Sequence, residues 1–244
     1  AVWQQNATGF VNYAAVPIVQ SALVLPNGQI VGGGTAQYPS FSLAPDVATD
    51  GVNFLVSYEV ATIQNNQATG TTLNYNLVNP DNTLNGPTRT ISNTLISRPA
   101  SSLYVYTPSA YNRVAWLGDR YRIVRRGDGS GSKNLISRDV DKAGNYLSGN
   151  DATLATDSDG DFGAISFSFA ADPVSGRSLV AYTKPTFEIW GQLYDRTSST
   201  PIASRRLSDN LERTFQVAYE PQTQQFVFSS QIDLIRSVQS LFDK

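Results

Sequence analysis

The sequence predicts an all-β fold: a β-propeller of about five four-stranded blades, alone or as part of a larger propeller. Three observations predict it. An apolar pattern recurs along the chain, short β-rich runs are separated by turn residues, and no segment keeps the 3.6-residue period of a helix. A β-sandwich and a β-solenoid are the alternatives, because both are also built from short strands.

The recurrence is clearest near the C-terminus. Residues 166–195, which begin SFSFAADPVSGRSLVAY, align without a gap over residues 214–243, which begin TFQVAYEPQTQQFVFSS. The apolar positions and an acid-proline turn keep their register over the whole stretch. The alignment closes with Asp195 on Asp243. Low identity with a preserved apolar pattern is what a structural repeat predicts.

The same unit is found three more times toward the N-terminus. The positions equivalent to Asp195 are Leu25, Asn79, Asp141 and Asp243, at successive spacings of 54, 62, 54 and 48 residues. These spacings lie near the roughly 40–50-residue period of propeller blades, lengthened by insertions. We therefore expect one domain over residues 1–244, with blades at about 1–36, 41–92, 99–155, 164–208 and 213–244.

Each unit holds four strand-like runs. In the fourth unit they cover residues 165–171, 177–183, 187–194 and 201–207. The segments PNG at 26–28, PDN at 80–82 and KAG at 142–144 predict tight turns between the third and fourth strands. The innermost strands are expected near residues 1–4, 46–49, 102–106, 165–171 and 214–219.

The last blade is expected to be incomplete. The alignment places Lys244 in the turn after the third strand, and Ala1 lies inside the first inner strand. An unpaired strand edge exposes N–H and C=O groups. We therefore expect a missing continuation of the chain or a strand from another chain at this edge.

Composition excludes several kinds of chemistry. The chain has no Cys and no His, so disulfides, thiolate nucleophiles, Ser-His-Asp triads and His- or Cys-ligated metals are excluded. The net charge of −2 gives no overall basic field for nucleic acid, and no apolar run reaches the roughly 18 residues needed for membrane insertion. The absence of Cys and the abundance of small polar residues favour an extracellular or cell-surface protein, with a cytosolic protein as the alternative.

The repeated phrase is roughly V-A-Y-[DE]-P, then a strand like SLVAY, then I-x-G-Q-L-Y-D. It resembles the repeats of bacterial secreted and cell-surface β-propeller proteins. The resemblance covers the whole chain and implies a propeller fold and a surface location, but no activity and no site residue. Three repeats depart from the acid-proline pair, with Gln4-Gln5, Asp50-Gly51 and Thr107-Pro108 in its place.

Two segments that break the period are predicted insertions between the second and third strands, where binding often occurs. Residues 60–71 are polar, and residues 117–133 are rich in arginine and glycine. Clustered arginines bind carboxylate, sulfate or phosphate through paired hydrogen bonds. A solvated mobile loop is the alternative. The candidate ligand-binding residues are Arg120, Tyr121, Arg122, Arg125 and Arg126.

A calcium site is predicted in TDSDGDFG at residues 156–163. Asp157, Asp159 and Asp161 alternate there, as in loops that supply several hard oxygen ligands to calcium. The match departs from the EF-hand pattern, because Phe162 stands where a glycine is expected. The alternative is a polar turn between blades.

Two short motifs are weaker signals. Arg126-Gly127-Asp128 spells the integrin-recognition tripeptide, which arises often by chance. Asn6-Ala7-Thr8 is a glycosylation acceptor pattern on a predicted turn.

These features favour a non-catalytic extracellular propeller module for adhesion, ligand binding or assembly of a surface structure, with a protein or glycan as partner. One alternative is a glycoside-cleaving enzyme of propeller fold, which needs carboxylates on the innermost strands. Only Asp46 is an acid within those strands, and the acids just after them, Asp50, Asp172 and Glu220, are also ordinary turn formers. The other alternative is an intracellular protein-interaction scaffold.

Overall fold

The structure is a computed structural model of the chain. The structure describes most of the chain, in eleven ranges: residues 2–11, 14–31, 38–64, 67–92, 112–127, 134–149, 151–156, 167–184, 188–208, 214–232 and 235–241. The chain divides into two compact units. The first unit holds residues 1–114, 128–132 and 142–144, and the second holds residues 115–127, 133–141 and 145–244.

The described residues form strands and turns and no helix. The strands are β1 Val2–Val11, β2 Ala14–Ser21, β3 Leu23–Val24, β4 Ile30–Val31, β5 Ser42–Thr49, β6 Phe54–Gln64, β7 Gln67–Val78, β8 Arg89–Ser92, β9 Asn112–Trp116, β10 Tyr121–Arg126, β11 Leu135–Val140, β12 Ala152–Ala155, β13 Phe167–Ala171, β14 Ser178–Thr183, β15 Ile189–Tyr194, β16 Ala203–Ser208, β17 Thr214–Glu220, β18 Gln225–Ile232 and β19 Ile235–Leu241.

The strands pair with their neighbours in the chain. Three sheets have four strands each, in the orders β5-β6-β7-β8, β9-β10-β11-β12 and β13-β14-β15-β16. The described ladders within them are antiparallel. Such a meander is the blade of a propeller, and it confirms the predicted all-β fold of propeller class. In the part of the chain that the structure describes, no helix is long and apolar enough to span a membrane.

The first and last parts of the chain depart from the four-stranded pattern. At the start, β1 pairs with β2 and β3 pairs with β4, as two separate two-stranded sheets. Only Ala22 lies between β2 and β3, which is too short a connection for the two strands to turn back on each other. The last sheet has three strands in its described residues, β17-β18-β19, in line with the predicted incomplete last blade.

The core of the first unit lies on one face of the sheet β5–β8. Alternation along β6 places Val56 and Tyr58 on this face, where they pack with Val19, Tyr38 and Val78. The ring of Tyr38 meets that of Tyr58 edge-on, with the centroids 5.1 Å apart. The period of two in FLVSYEV therefore encodes which side of the strand is apolar.

Two buried clusters form the core of the second unit. One packs β10 and β11 against β13 and β14, and its members include Leu117, Val124, Leu135, Phe167 and Tyr194. The other packs β14 and β15 against β17 and β18, through residues such as Leu179, Ile189 and Phe228. Successive sheets of this unit thus bury their faces against one another, which a single four-stranded sheet cannot do alone.

The two predicted insertions differ. Residues 60–71 lie between the second and third strands, as the outer part of the hairpin β6–β7, where Val60 pairs with Thr72 and Gln64 with Gln67. The expectation that residues 117–133 protrude from the blade sheet is wrong. Within residues 117–133, Tyr121 to Arg126 form the second strand of a blade and pair with Val140 to Leu135. The many arginines and glycines of this segment are typical of a loop. The segment can nevertheless form a buried strand, because each buried guanidinium is paired with a carboxylate of the same sheet region.

The structure also differs from two expected positions, those of the first strand of the third sheet and of the Asn6 motif. The first strand of the third sheet is β9, Asn112–Trp116, whereas residues 102–106 lie outside the described ranges. Asn6 lies within strand β1 and pairs with Pro17, so its acceptor motif is not on a turn.

Candidate functional site

The predicted arginine site is held by the sheet rather than by a loop. Arg122 is almost fully buried and donates two hydrogen bonds to Asp139, of 2.7 and 2.9 Å, and one of 2.8 Å to the carbonyl of Arg196. Arg125 donates to Asp151 at 2.6 Å. These bonds are charge-assisted and tie both guanidinium groups to carboxylates of the same unit.

The remaining members of that group are also engaged. Arg120 lies in the turn between β9 and β10 and donates to Asp119 at 3.0 and 2.9 Å. These bonds hold the pKa of the Asp119 carboxyl below its usual value. Tyr121 is buried with its ring edge-on to Trp116, at 4.8 Å between centroids. Ligand binding by this group, which includes Arg126, stays a prediction. The prediction that the group lies on a protruding loop is wrong.

The predicted calcium ligands Asp157, Asp159 and Asp161 lie outside the described residues. Within the described ranges, no three Asp or Glu side chains come together as metal ligands. Calcium binding therefore stays a prediction.

The acids that follow the first strands act as turn formers. Asp50 accepts the backbone N–H groups of Val52 and Asn53, at 2.8 and 2.7 Å. Asp172 accepts the N–H of Val174 and the hydroxyl of Ser175. Burial raises the pKa of Asp172, but its hydrogen bonds outweigh burial and bring that pKa below its usual value. These geometries are the ordinary side-chain turns of Asp and account for the recurrence.

An open pocket lies in the first unit. Its walls come from β3 and from one face of the sheet β5–β8. The buried part is formed by Val56, Val78 and Ala22, with Ser21 and Asn82 as polar members. The half-buried lining residues are Leu23, Val47, Phe54 and Asn79.

A polar network fixes the buried end of this pocket. Asn82 adopts the left-handed conformation, with φ 65°, in the turn between β7 and β8. Its side chain accepts from the hydroxyl of Ser21 at 2.8 Å and donates to the carbonyl of Ser21 at 3.1 Å. Tyr38 in turn donates to Ser21 at 3.2 Å. Short polar side chains tolerate this backbone conformation, and the paired bonds hold the turn against β2.

One polar atom at the pocket is left for a ligand. The amide nitrogen of Asn79 donates to Thr83 at 3.0 Å, whereas its Oδ1 accepts no hydrogen bond from the described residues. Ser21 and Asn82 bond to each other, and the remaining lining residues are aliphatic or aromatic. None of the described residues that line the pocket has an ionisable side chain.

The opposite face of the same sheet carries two acids. Asp46 pairs with Ser57 across the β5–β6 ladder, and Glu59 stands two residues further along β6, so both carboxylates lie on one face. Asp46 accepts the N–H of Val114 at 2.7 Å. Burial raises its pKa, against the opposing charge of Arg113. Glu59 is 1% exposed.

Sequence reasoning missed both Glu59 and the pocket. The alternation of FLVSYEV places Glu59 on the face of Ser57, but a glycosidase site was expected on the first strands, and Glu59 lies on the second. The pocket had no local signal, because its walls come from segments separated by up to 61 residues, such as Ser21 and Asn82.

No protein-family model matches the chain, and no curated protein sequence does so either. Among solved structures, a glycosyl hydrolase from Bacteroides ovatus is similar with 11% identity and a TM-score of 0.43, over 86% of this chain and 65% of that chain. A fucose-specific lectin from Aleuria aurantia is similar with 12% identity and a TM-score of 0.41, over 99% of this chain and 78% of that one.

The β-propeller domain of the Trilobed protease from Pyrococcus furiosus is also similar, with 12% identity and a TM-score of 0.37, over 82% of this chain and 56% of that one. The chain thus spans 65% of the length of the hydrolase and 56% of the propeller domain. At these identities and scores the likenesses concern the fold, and no activity or ligand is transferred from them.

Proposed function

We propose that the chain is a non-catalytic extracellular β-propeller module that binds a ligand in adhesion or in the assembly of a surface structure. The observation that carries this proposal is the pocket of the first unit. It combines apolar walls with few polar groups, as binding sites do. Its partner would be a protein or a glycan.

The chemistry of the pocket supports binding without turnover. Among the described lining residues Ser21 alone bears a hydroxyl, which donates to the amide oxygen of Asn82. An amide oxygen is not a general base, and the chain has no His or Cys to act as base or nucleophile. The lack of Cys and the many small polar residues support the extracellular location.

Filling the pocket tests the proposal. Leu23→Trp places a large ring at its half-buried edge, and Ile202→Trp, at an exposed position in the second unit, is the matched control. Ligand-observed NMR with a panel of small sugars and short peptides should show binding to the wild type and to the control, and loss of that binding in the filled variant. Equal binding by both variants would mean that the pocket is not the site.

A second candidate function is glycoside cleavage, which is favoured by Asp46 and Glu59 on one face of one sheet. Glycosidases use a pair of carboxyl groups, one of them with a raised pKa as the acid. Asp46 has such a raised pKa. The test is hydrolysis of aryl glycosides and of polysaccharides by the wild type. Activity that disappears in both Asp46→Asn and Glu59→Gln, with folding intact, would establish the enzyme and displace the binding module.

A further inference from the structure

Charge is distributed unevenly along this chain. Residues 1–88 contain no Lys, Arg or His, and the first basic residue is Arg89. The same stretch holds four acids, Asp46, Asp50, Glu59 and Asp81. The pocket is built wholly from residues 21–82, so its surroundings carry negative charge and no basic group from that stretch. Such a field attracts cations and repels anions.

Two of those acids flank the pocket in the chain. Asp50 lies in the turn between the lining residues Val47 and Phe54, and Asp81 lies between the lining residues Asn79 and Asn82.

One oxygen of each carboxylate accepts no hydrogen bond from the described residues. Oδ1 of Asp81 accepts from the N–H and the hydroxyl of Thr83, at 3.0 and 2.5 Å, and these bonds lower the pKa of the exposed carboxyl. Oδ1 of Asp50 accepts two backbone N–H groups. Among the described residues, neither Asp50 nor Asp81 has an ion-pair partner. Both acids are therefore available to a cation from outside.

The pocket itself requires an apolar group. Leu23, Val47 and Phe54 form half-buried walls, and the exposed apolar side chains of Val24 and Val52 lie within two residues of Leu23 and Phe54 in the chain. Oδ1 of Asn79 adds a single acceptor, which suits an N–H donor such as that of a peptide backbone.

We propose that the pocket binds a segment of a protein partner in which an apolar side chain stands next to basic side chains. The apolar side chain enters between Phe54 and Val56. The basic side chains meet the free oxygens of Asp50 and Asp81, and a backbone N–H donates to Asn79. This deepens the proposed binding function and rests on it. Charge complementarity selects such a partner over an acidic peptide, and the apolar walls select it over a wholly polar ligand.

Three blocked five-residue peptides serve as probes: one alternating Lys and Leu, a second with Glu in place of Lys, and a third with Gly in place of Leu. Calorimetric titration of the full chain is run at about 20 mM and about 150 mM salt. We expect binding of the Lys-Leu peptide that weakens with salt, at least tenfold weaker binding of the Glu-Leu peptide, and no binding of the Lys-Gly peptide.

Variants locate the effect. Asp50→Asn combined with Asp81→Asn keeps the side-chain turns but removes the charge, and it should weaken binding of the Lys-Leu peptide about three- to tenfold. Asp141→Asn is the matched control, since Asp141 forms a similar side-chain turn with Asn145 in the second unit, and it should change nothing. Leu23→Trp should abolish binding.

The outcomes separate the two proposals. If Leu23→Trp abolishes binding but the double Asn variant or the Glu-Leu peptide binds as tightly as the wild-type pair, the cationic partner is refuted and the binding module stands. A sugar that binds in the pocket while the Lys-Leu peptide does not bind has the same meaning. If Leu23→Trp binds every probe as the wild type does, the pocket is not a binding site and both proposals fail.

Discussion

Gly118 is the position where a single methyl group should be most informative. It lies in the turn between β9 and β10, in the second unit, with φ +94°. A Cβ atom there would lie 2.1 Å from the carbonyl oxygen of Pro173, far inside van der Waals contact, and 3.3 Å from Nη2 of Arg196. The turns that carry Gly118 and Pro173 must therefore separate if alanine is introduced.

The expected cost of Gly118→Ala has two parts. The left-handed conformation costs roughly 1–2 kcal/mol for a residue with a Cβ, and forcing extra volume into a packed site costs roughly 1–3 kcal/mol more. The lower entropy of the unfolded alanine chain offsets roughly 0.4–1 kcal/mol. We expect a net loss of about 2–4 kcal/mol in the free energy of unfolding, and a fall in Tm of about 5–15 °C.

Gly51→Ala is the matched control. Gly51 has φ +89° in the turn between β5 and β6, but a Cβ there would meet nothing within 4 Å. It should show the conformational cost alone, about 1 kcal/mol. Urea unfolding followed by tryptophan fluorescence measures both variants. If Gly118→Ala costs no more than Gly51→Ala, the close approach to Pro173 does not exist in the folded protein.

Three further predictions concern charge. Burial raises the folded pKa of Asp46 above 3.8, so its contribution to the free energy of unfolding is present at low pH and is lost as pH rises through the folded pKa. Unfolding measured over a range of pH should show this loss of stability in the wild type and not in Asp46→Asn. Arg122→Met should cost about 3 kcal/mol in chemical unfolding, because Asp139 loses its buried partner and keeps only Arg120 at 3.5 Å, whereas Arg206→Met, which breaks an exposed pair, should cost under about 1 kcal/mol; equal losses would contradict the burial argument. If residues 157–161 bind calcium, calorimetry should show a Tm that rises with calcium and falls with a chelator, and an unchanged Tm would leave a polar turn.

The sequence predicted the parts of the fold that depend on local pattern. Alternation in SLVAY and in FLVSYEV indicated the strands and their buried faces, and glycine and Asn-Asp turns indicated where hairpins close. It failed at residues 121–126, because YRIVRR has the composition of a basic loop. The strand is stable there because Asp139 and Asp151 lie opposite its buried arginines, and such pairings depend on tertiary contacts.

The candidate site was harder to predict for the same reason. The lining residues Ser21, Phe54 and Asn82 are each unremarkable within their own segments. What makes them a site is the packing of β3 beside the sheet β5–β8, which no local pattern encodes. The acids Asp50 and Asp81 were visible as turn formers, but their position beside a pocket was not.

The shared carboxylate Asp151 restricts how this protein can diverge. It accepts from Arg125 at 2.6 Å and from Arg138 at 2.5 Å, and Arg138 also lies over the ring of Tyr146. Loss of Asp151 alone leaves the guanidinium groups of Arg125 and Arg138 close together without their shared carboxylate. A neutral replacement at one of these three positions is therefore disfavoured until the others have changed. Among homologues, these residues should be inherited together or be replaced together by apolar side chains.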